Sequence, residues 1–200
     1  GRNLYGEPGS TPRSNAKWLL VTPTQLVIPP QGIALIHYSV EIPDDKSLRG
    51  TYWSMLMVEP RAEAGPEIVG DGKDKVTLGI RTIIRYGIQI VTHIGDTGHR
   101  NLRITDRKLM RDENGANVLQ LDIENTGERW LRPWVRAEVY DQSGIIVKRL
   151  ECGRLRIYPG TSVRHRMTFR DIPKGKYKAL IIMDDGDEHV WGAQYNLQLP

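Results

Sequence analysis

The stretch Val76-Thr77-Leu78-Gly79-Ile80-Arg81-Thr82-Ile83-Ile84-Arg85-Tyr86-Gly87-Ile88-Gln89-Ile90-Val91-Thr92-His93-Ile94 carries the strongest structural signal in the chain. Its even positions are Val, Leu, Ile, Tyr or Thr throughout, and its odd positions are mostly polar or glycine, with Ile83 and Val91 as exceptions. Period two places successive side chains on opposite faces of an extended backbone, so the stretch predicts a β-strand with one apolar face. The pattern holds for 19 residues, whereas strands usually run about 3–10. A strand of that length either bends at a bulge near Gly87 or leaves one domain and enters a linker.

Working outward, the same punctuation continues on both sides. Residues 1–16, rich in Gly, Pro, Ser, Asn and Arg, predict a loose arm. Short alternating runs predict strands at 18–22, 33–42 and 52–59, and residues 60–74 read as an exposed loop. After the long stretch, residues 96–101 read as an interdomain linker. Seven further strands are predicted at 102–110, 116–124, 134–140, 145–150, 163–169, 177–183 and 190–199, the immunoglobulin count in about 100 residues. No window has sustained helical spacing. The expectation is an all-β chain of two immunoglobulin-like β-sandwich domains in tandem, at 17–95 and 102–200.

The halves share an order of features. Pro30 and Gly32 precede a strand, then Ile42-Pro43, then Gly50-Thr51-Tyr52; Pro159-Gly160 precede a strand, then Ile172-Pro173, then Gly175-Lys176-Tyr177. A Gly-x-Tyr opening a strand predicts a tyrosine corner, in which the phenol bonds back to the chain just upstream. The repeat also exposes a difference. Only 29 residues precede Pro30, so the first domain is expected to lack its opening strands. Such a sandwich exposes unpaired backbone and core side chains. A region trimmed from this chain, a neighbouring copy paired at the edge, or a partner's strand would fill the gap.

Composition narrows the function classes. The net charge of +4 favours an acidic partner only weakly, and no run of Lys and Arg interleaved with aromatics suggests nucleic acid. No stretch reaches the ~18 apolar residues of a membrane-spanning helix. The single cysteine, Cys152, allows no intrachain disulfide and reads as a small buried hydrophobe. The chain starts at Gly1 rather than Met, which reads as a processed end, with a signal peptide presumed removed, or as a tag remnant. His37, His93, His99, His165 and His189 show no metal-ligand spacing. The acidic run Asp184-Asp185-Gly186-Asp187-Glu188 reads as a hairpin turn rather than a metal loop. No nucleophile elbow, zinc motif or phosphate loop is present, so no catalytic residue, metal or cofactor is assigned and an enzyme is not expected. Arg154, Arg156, Arg164 and Arg166 are candidates for a basic face on adjacent strands, with an ordinary solvated face as the alternative.

Trp18-Leu19-Leu20-Val21-Thr22-Pro23 with Leu26-Val27-Ile28-Pro29-Pro30-Gln31-Gly32, then Leu48-Arg49-Gly50-Thr51-Tyr52-Trp53, then the long strand, together resemble the periplasmic pilus-chaperone (PapD-like) superfamily. The second half resembles a bacterial immunoglobulin-like module. The resemblance implies donor-strand complementation, in which the long strand lends alternating apolar side chains to an incomplete partner subunit. Leu78, Ile80, Ile84 and Ile88 match that pattern. It also implies a basic anchor for the partner's terminal carboxylate. Arg81 or Arg85 stands nearest that role, although neither fits the family's motif cleanly and the first-strand member of the family's basic pair has no counterpart. The function implied is a periplasmic or cell-surface module that binds a protein along residues 76–94. The alternatives are that the apolar face packs its own domain, or that the chain is a structural or adhesive envelope module. In the latter case, exposure of Trp53, Trp130, Trp134 or Trp191 would favour glycan binding.

Overall fold

The computed structural model describes residues 6–61 and 83–199. The described residues are all-β, with eleven strands, one short 3-10 turn at Ala16–Trp18 and no α-helix. They divide into two compact units: unit 1 is Gly1–Pro43 with Tyr52–Thr92, and unit 2 is Asp44–Thr51 with His93–Pro200.

In unit 1, β1 (Leu19–Thr22) pairs antiparallel with β2 (His37–Val40), Leu19 opposite Val40 and Thr22 opposite His37. A second two-stranded sheet holds β3 (Gly50–Val58) and β4 (Tyr86–Ile94), of which Tyr52–Val58 and Tyr86–Thr92 belong to unit 1 and the remaining residues to unit 2. The alternating run expected at 33–42 forms a strand only at His37–Val40. Alternation fixes which face each side chain takes, but a strand also needs a neighbour for its N–H and C=O groups. The first half of the long stretch, through Thr82, lies outside the described residues.

The end of the segment expected to be a loose arm is held in place. Asn15 is fully buried, and its Nδ2 donates to Ile90 O at 3.3 Å and Thr92 Oγ1 at 2.9 Å. Trp53 N donates to Arg13 O at 2.9 Å. The Arg13 guanidinium lies over Tyr52, 5.4 Å from the ring centre, and Trp18 packs against the same ring at 4.6 Å. Among the described residues, these contacts and no corner hydrogen bond surround Tyr52.

Unit 2 holds β5 (Leu102–Arg111), β6 (Asn117–Asn125), β7 (Trp134–Tyr140), β8 (Ile146–Arg154), β9 (Ser162–Phe169), β10 (Gly175–Asp184) and β11 (Val190–Leu199). They form a three-stranded sheet, β5-β6-β9, and a four-stranded sheet, β11-β10-β7-β8. The alternation that predicted these strands also builds the core. Leu119, Leu121 and Ile123 of β6 and Met167 and Phe169 of β9 come from one sheet. Val135, Ala137 and Val139 of β7 meet Met183, Ile181 and Ala179 of β10 in register on the other. All belong to a single buried cluster, the apolar interior that two facing sheets require.

Turn chemistry fixes the register. Asp112 Oδ1 accepts from Asn114 N and Ala116 N at 3.0 and 2.8 Å, and Asp141 Oδ1 accepts from Ser143 N and Ile145 N at 2.8 and 2.9 Å. Both are aspartate side chains standing in for a backbone turn. The Tyr177 hydroxyl donates to Pro173 O at 2.9 Å, the back-bond of a tyrosine corner. Asn125 is fully buried; its Nδ2 donates to Arg129 O (2.7 Å) and Ile157 O (2.8 Å), and its Oδ1 accepts from Gly127 N (2.9 Å).

The segment expected to be a linker, 96–101, is packed within unit 2. Glu128 N donates to His99 O and Thr51 N donates to Glu128 O, each at 2.8 Å. Gly50, at φ +76°, would place a Cβ 2.2 Å from Glu128 O, and Gly98, at φ +85°, would place one 2.7 Å from Gly50 Cα. Only glycine permits both that conformation and that approach.

Candidate functional site

Of the apolar side chains buried among the described residues, Ile90 alone belongs to unit 1. Val27 and Ile33 are each 92% exposed and Leu35 77%. These residues flank Pro29-Pro30-Gln31-Gly32, a turn closed by Gly32 N donating to Pro29 O at 2.8 Å. The leading half of β4 is exposed on both faces: Tyr86, Gly87, Ile88 and Gln89 all face solvent, and burial begins at Ile90. Tyr86 is 64% exposed, Ile88 50% and, just before the strand, Ile84 60%. Two-stranded sheets cannot cover apolar faces of this extent by themselves.

Of the residues expected to bind a partner strand, Ile84 and Ile88 are placed in this exposed stretch, while Leu78 and Ile80 lie outside the described residues. Of the expected carboxylate anchors, Arg81 also lies outside them. Arg85 Nε sits 3.3 Å from Glu59 Oε2, with both side chains about half exposed. An ion pair this open to water contributes little and can exchange its carboxylate for another.

The four arginines expected to share a basic face divide between two surroundings. Arg164 makes a two-pronged contact with Asp122, Nε to Oδ1 and Nη2 to Oδ2, each at 2.7 Å, and this hydrogen-bonded charge holds the Asp122 carboxyl below its ordinary range. Arg166 Nε donates to Gln120 Oε1 at 3.3 Å. Arg154 Nε donates to Arg132 O at 2.8 Å, and the Arg156 guanidinium lies over Trp130, 5.5 Å from the ring centre.

Arg154 belongs to a cleft in unit 2 of about 310 Å³, lined by Arg100, Arg129, Trp130, Arg132, Arg154, Asp185 and Asp187. Four lining arginines face two aspartates. Asp185 Oδ1 accepts from Arg132 N at 3.1 Å, and burial pushes the Asp185 carboxyl above its ordinary value. Arg100 Nη2 lies 3.5 Å from Asp187 Oδ2. Arg129 is committed to the fold, its Nη1 reaching Asp96 at 2.9 Å and the carbonyls of Gly95 and Thr97 at 3.2 and 3.1 Å. The acidic run does form the β10–β11 turn, with Asp185 N donating to His189 O at 3.2 Å. Nothing in the sequence announced this cleft, because its residues come from four separate stretches that only the topology assembles.

The remaining candidates stand apart from one another. Cys152 is half-buried, and burial raises its thiol to about 11. His165 is buried, and desolvation lowers its pKa. His93 Nδ1 lies 3.0 Å from Thr51 Oγ1, and the same hydroxyl oxygen accepts from Trp130 N at 3.0 Å. Burial first and the Arg129 charge second lower the pKa of His93. Trp53, Trp130 and Trp191 are half-buried, whereas Trp134 is 48% exposed. Among the described residues, no helix is long and apolar enough to cross a membrane.

No protein-family model matches the chain, and no curated protein does. Among solved structures, the chain is similar over 50% of its length to DesR, a β-glucosidase from Streptomyces venezuelae in complex with D-glucose, at 10% identity and a TM-score of 0.34. The match spans 15% of that enzyme's chain.

Proposed function

We propose that the chain is an extracytoplasmic protein-binding module built of two immunoglobulin-like sandwiches, in which unit 1 takes up an extended segment of a partner protein alongside residues 83–94. One observation carries this reading: unit 1 leaves the apolar side chains of β4's leading half and of the 27–36 turn in water and buries Ile90 alone, while unit 2 gathers the other buried apolar side chains among the described residues. A partner strand added at β4 would pair backbone groups and cover Ile84, Tyr86 and Ile88 with alternate side chains. In this reading Arg85, which pairs with Glu59 in the open, takes a partner carboxylate in exchange. The reading places the protein in the periplasm or on the cell surface, and it assigns no catalytic role.

The test uses a labelled synthetic peptide of alternating valine and threonine. Binding is read by fluorescence anisotropy, and amide hydrogen exchange reports where it occurs. The expected result is saturable binding that protects the amides of residues 84–89 and is lost in Ile84→Asp and Ile88→Asp. Both positions are exposed, so the variants should fold like the parent. Equal binding by the variants, or protection elsewhere in the chain, would overturn the proposal.

A further inference from the structure

Independently of unit 1, we infer that the arginine-lined cleft of unit 2, with Trp134 beside it, binds a small carboxylate-bearing sugar, a sugar acid. Three observations point to this class. The first is charge: four arginines against two aspartates leave the cleft positive and suited to an anion. Not all of that charge is available, since Arg129 is spent on Asp96 and two carbonyls. Arg132 is exposed, and its guanidinium has no hydrogen-bond or ion-pair partner among the described residues. Arg154 uses Nε on a carbonyl, and its Nη2 lies 4.0 Å from the position a Gly186 Cβ would take, beside the β10–β11 turn. A guanidinium presents five N–H donors in a planar fork that matches a carboxylate. Arg132 and Arg154 therefore hold most of the unspent donor capacity.

The second observation is a flat apolar surface next to that charge. Trp134 is directly opposite Arg154 on β8 and Asp184 on β10. Residues directly opposite in an antiparallel pair share a face with Cβ atoms about 5 Å apart. Trp134 is therefore an exposed ring flanked by a donor and an acceptor on the outward face of the sheet. Trp130 cannot play this part, because its ring already stacks against Tyr158 at 6.5 Å and carries Arg156. An indole face suits the C–H face of a sugar ring, and Asp185 and Asp187, which line the cleft, can accept from hydroxyl groups. The third observation is size. At about 310 Å³, the cleft lies at the small end of the ligand-site range of about 300–1,000 Å³, which suits one or two sugar rings better than a folded partner.

The experiment titrates the whole chain with three probes by calorimetry: glucuronate carries both features, glucose the ring alone and acetate the charge alone. Glucuronate should bind with a Kd of about 1 mM or tighter, and both glucose and acetate at least about tenfold more weakly. Arg132→Ala should weaken glucuronate by about tenfold or more, the scale of one lost charged hydrogen-bonded contact. Trp134→Ala should bring glucuronate down to the level of acetate. Both side chains are exposed, and an unchanged thermal midpoint will show that the variants are folded. No glucuronate binding by the parent, acetate binding as tightly as glucuronate, or variants that bind like the parent would each overturn the inference.

Discussion

Replacing Asn125 tests whether the end of unit 2 is held by a single amide. The side chain is fully buried and makes three short hydrogen bonds, two given by Nδ2 and one received by Oδ1. A hydrogen bond of this kind contributes about 1 kcal/mol net, so their joint removal in Asn125→Ala should cost about 3 kcal/mol. The loss is uneven across the partners. Ile157 O keeps its bond from Leu131 N at 3.0 Å, whereas Gly127 N loses the acceptor that satisfies it inside the turn. For a unit of about 100 residues each kcal/mol shifts the midpoint by about 4–8 °C, so a fall of about 12–24 °C is expected. Asn125→Asp is the sharper variant. It keeps the volume but points carboxylate oxygens at the carbonyls of Arg129 and Ile157 and buries a charge. It should therefore cost more than alanine at neutral pH and recover as acid protonates the carboxyl, which can then donate once. Urea unfolding followed by tryptophan fluorescence, to which Trp130, Trp134 and Trp191 of unit 2 contribute three of the five indoles, reads both variants. A cost below about 1 kcal/mol for Asn125→Ala, or an aspartate variant at least as stable as alanine at neutral pH, would refute the reasoning.

Gly50→Ala should destabilise unit 2 by about 2–5 kcal/mol, combining a left-handed backbone penalty of about 1–2 with overpacking of about 1–3, because the new Cβ would sit 2.2 Å from Glu128 O; thermal melts will show it. Burial depresses the His165 pKa from its ordinary 6.5, so the unfolded chain takes up that proton first. The stability contribution is therefore intact above about pH 6.5 and lost as pH falls through the depressed value; urea midpoints should drop on acidification, and less steeply in His165→Leu, with the remaining slope including His93, whose pKa is lowered too. Cys152, raised from 9.0 to about 11, should carry about 100-fold less thiolate than a free cysteine near neutral pH, so iodoacetamide should label it about 100-fold more slowly in the native chain than in urea, as read by mass spectrometry.

Much of unit 2 was legible because local chemistry and fold agree there. Alternating runs such as 117–125 and 134–140, closed by Asp-led turns at Asp112 and Asp141, put strands and inner faces where they are found. The corner at Tyr177 was readable for the same reason, since phenol and acceptor lie four residues apart. What the sequence hid depends on distant partners. Arg164 reads as part of a basic face until the β6–β9 register sets it opposite Asp122. Residues 96–101 have the composition of a linker, and only the approach of Gly50 to Gly98 shows why small residues stand there. A buried asparagine is invisible to hydropathy, so Asn15 fell inside a segment that looked loose. The cleft is the extreme case, since Arg100, Arg132, Arg154 and Asp185 share no spacing that a local pattern could detect.

The two units differ in where their apolar surface goes, and that difference bears directly on the proposed function. Transfer of apolar surface out of water is worth about 25 cal/mol per Å², and an isolated pair of strands is marginal without a third element to cover it. Unit 2 meets that requirement with two sheets closing on one core. Unit 1 places in water the kinds of side chain that unit 2 buries, at Ile84 and Ile88 and around Ile33 and Leu35. On the proposed reading, the segment that covers those residues supplies part of unit 1's own folding free energy. Ligand that binds only the folded form stabilises it by RT ln(1 + [L]/Kd). Saturating the strand-binding peptide should therefore raise the unfolding midpoint of unit 1 while leaving that of unit 2 unchanged. A sugar acid in the cleft should do the reverse, because every residue lining the cleft belongs to unit 2.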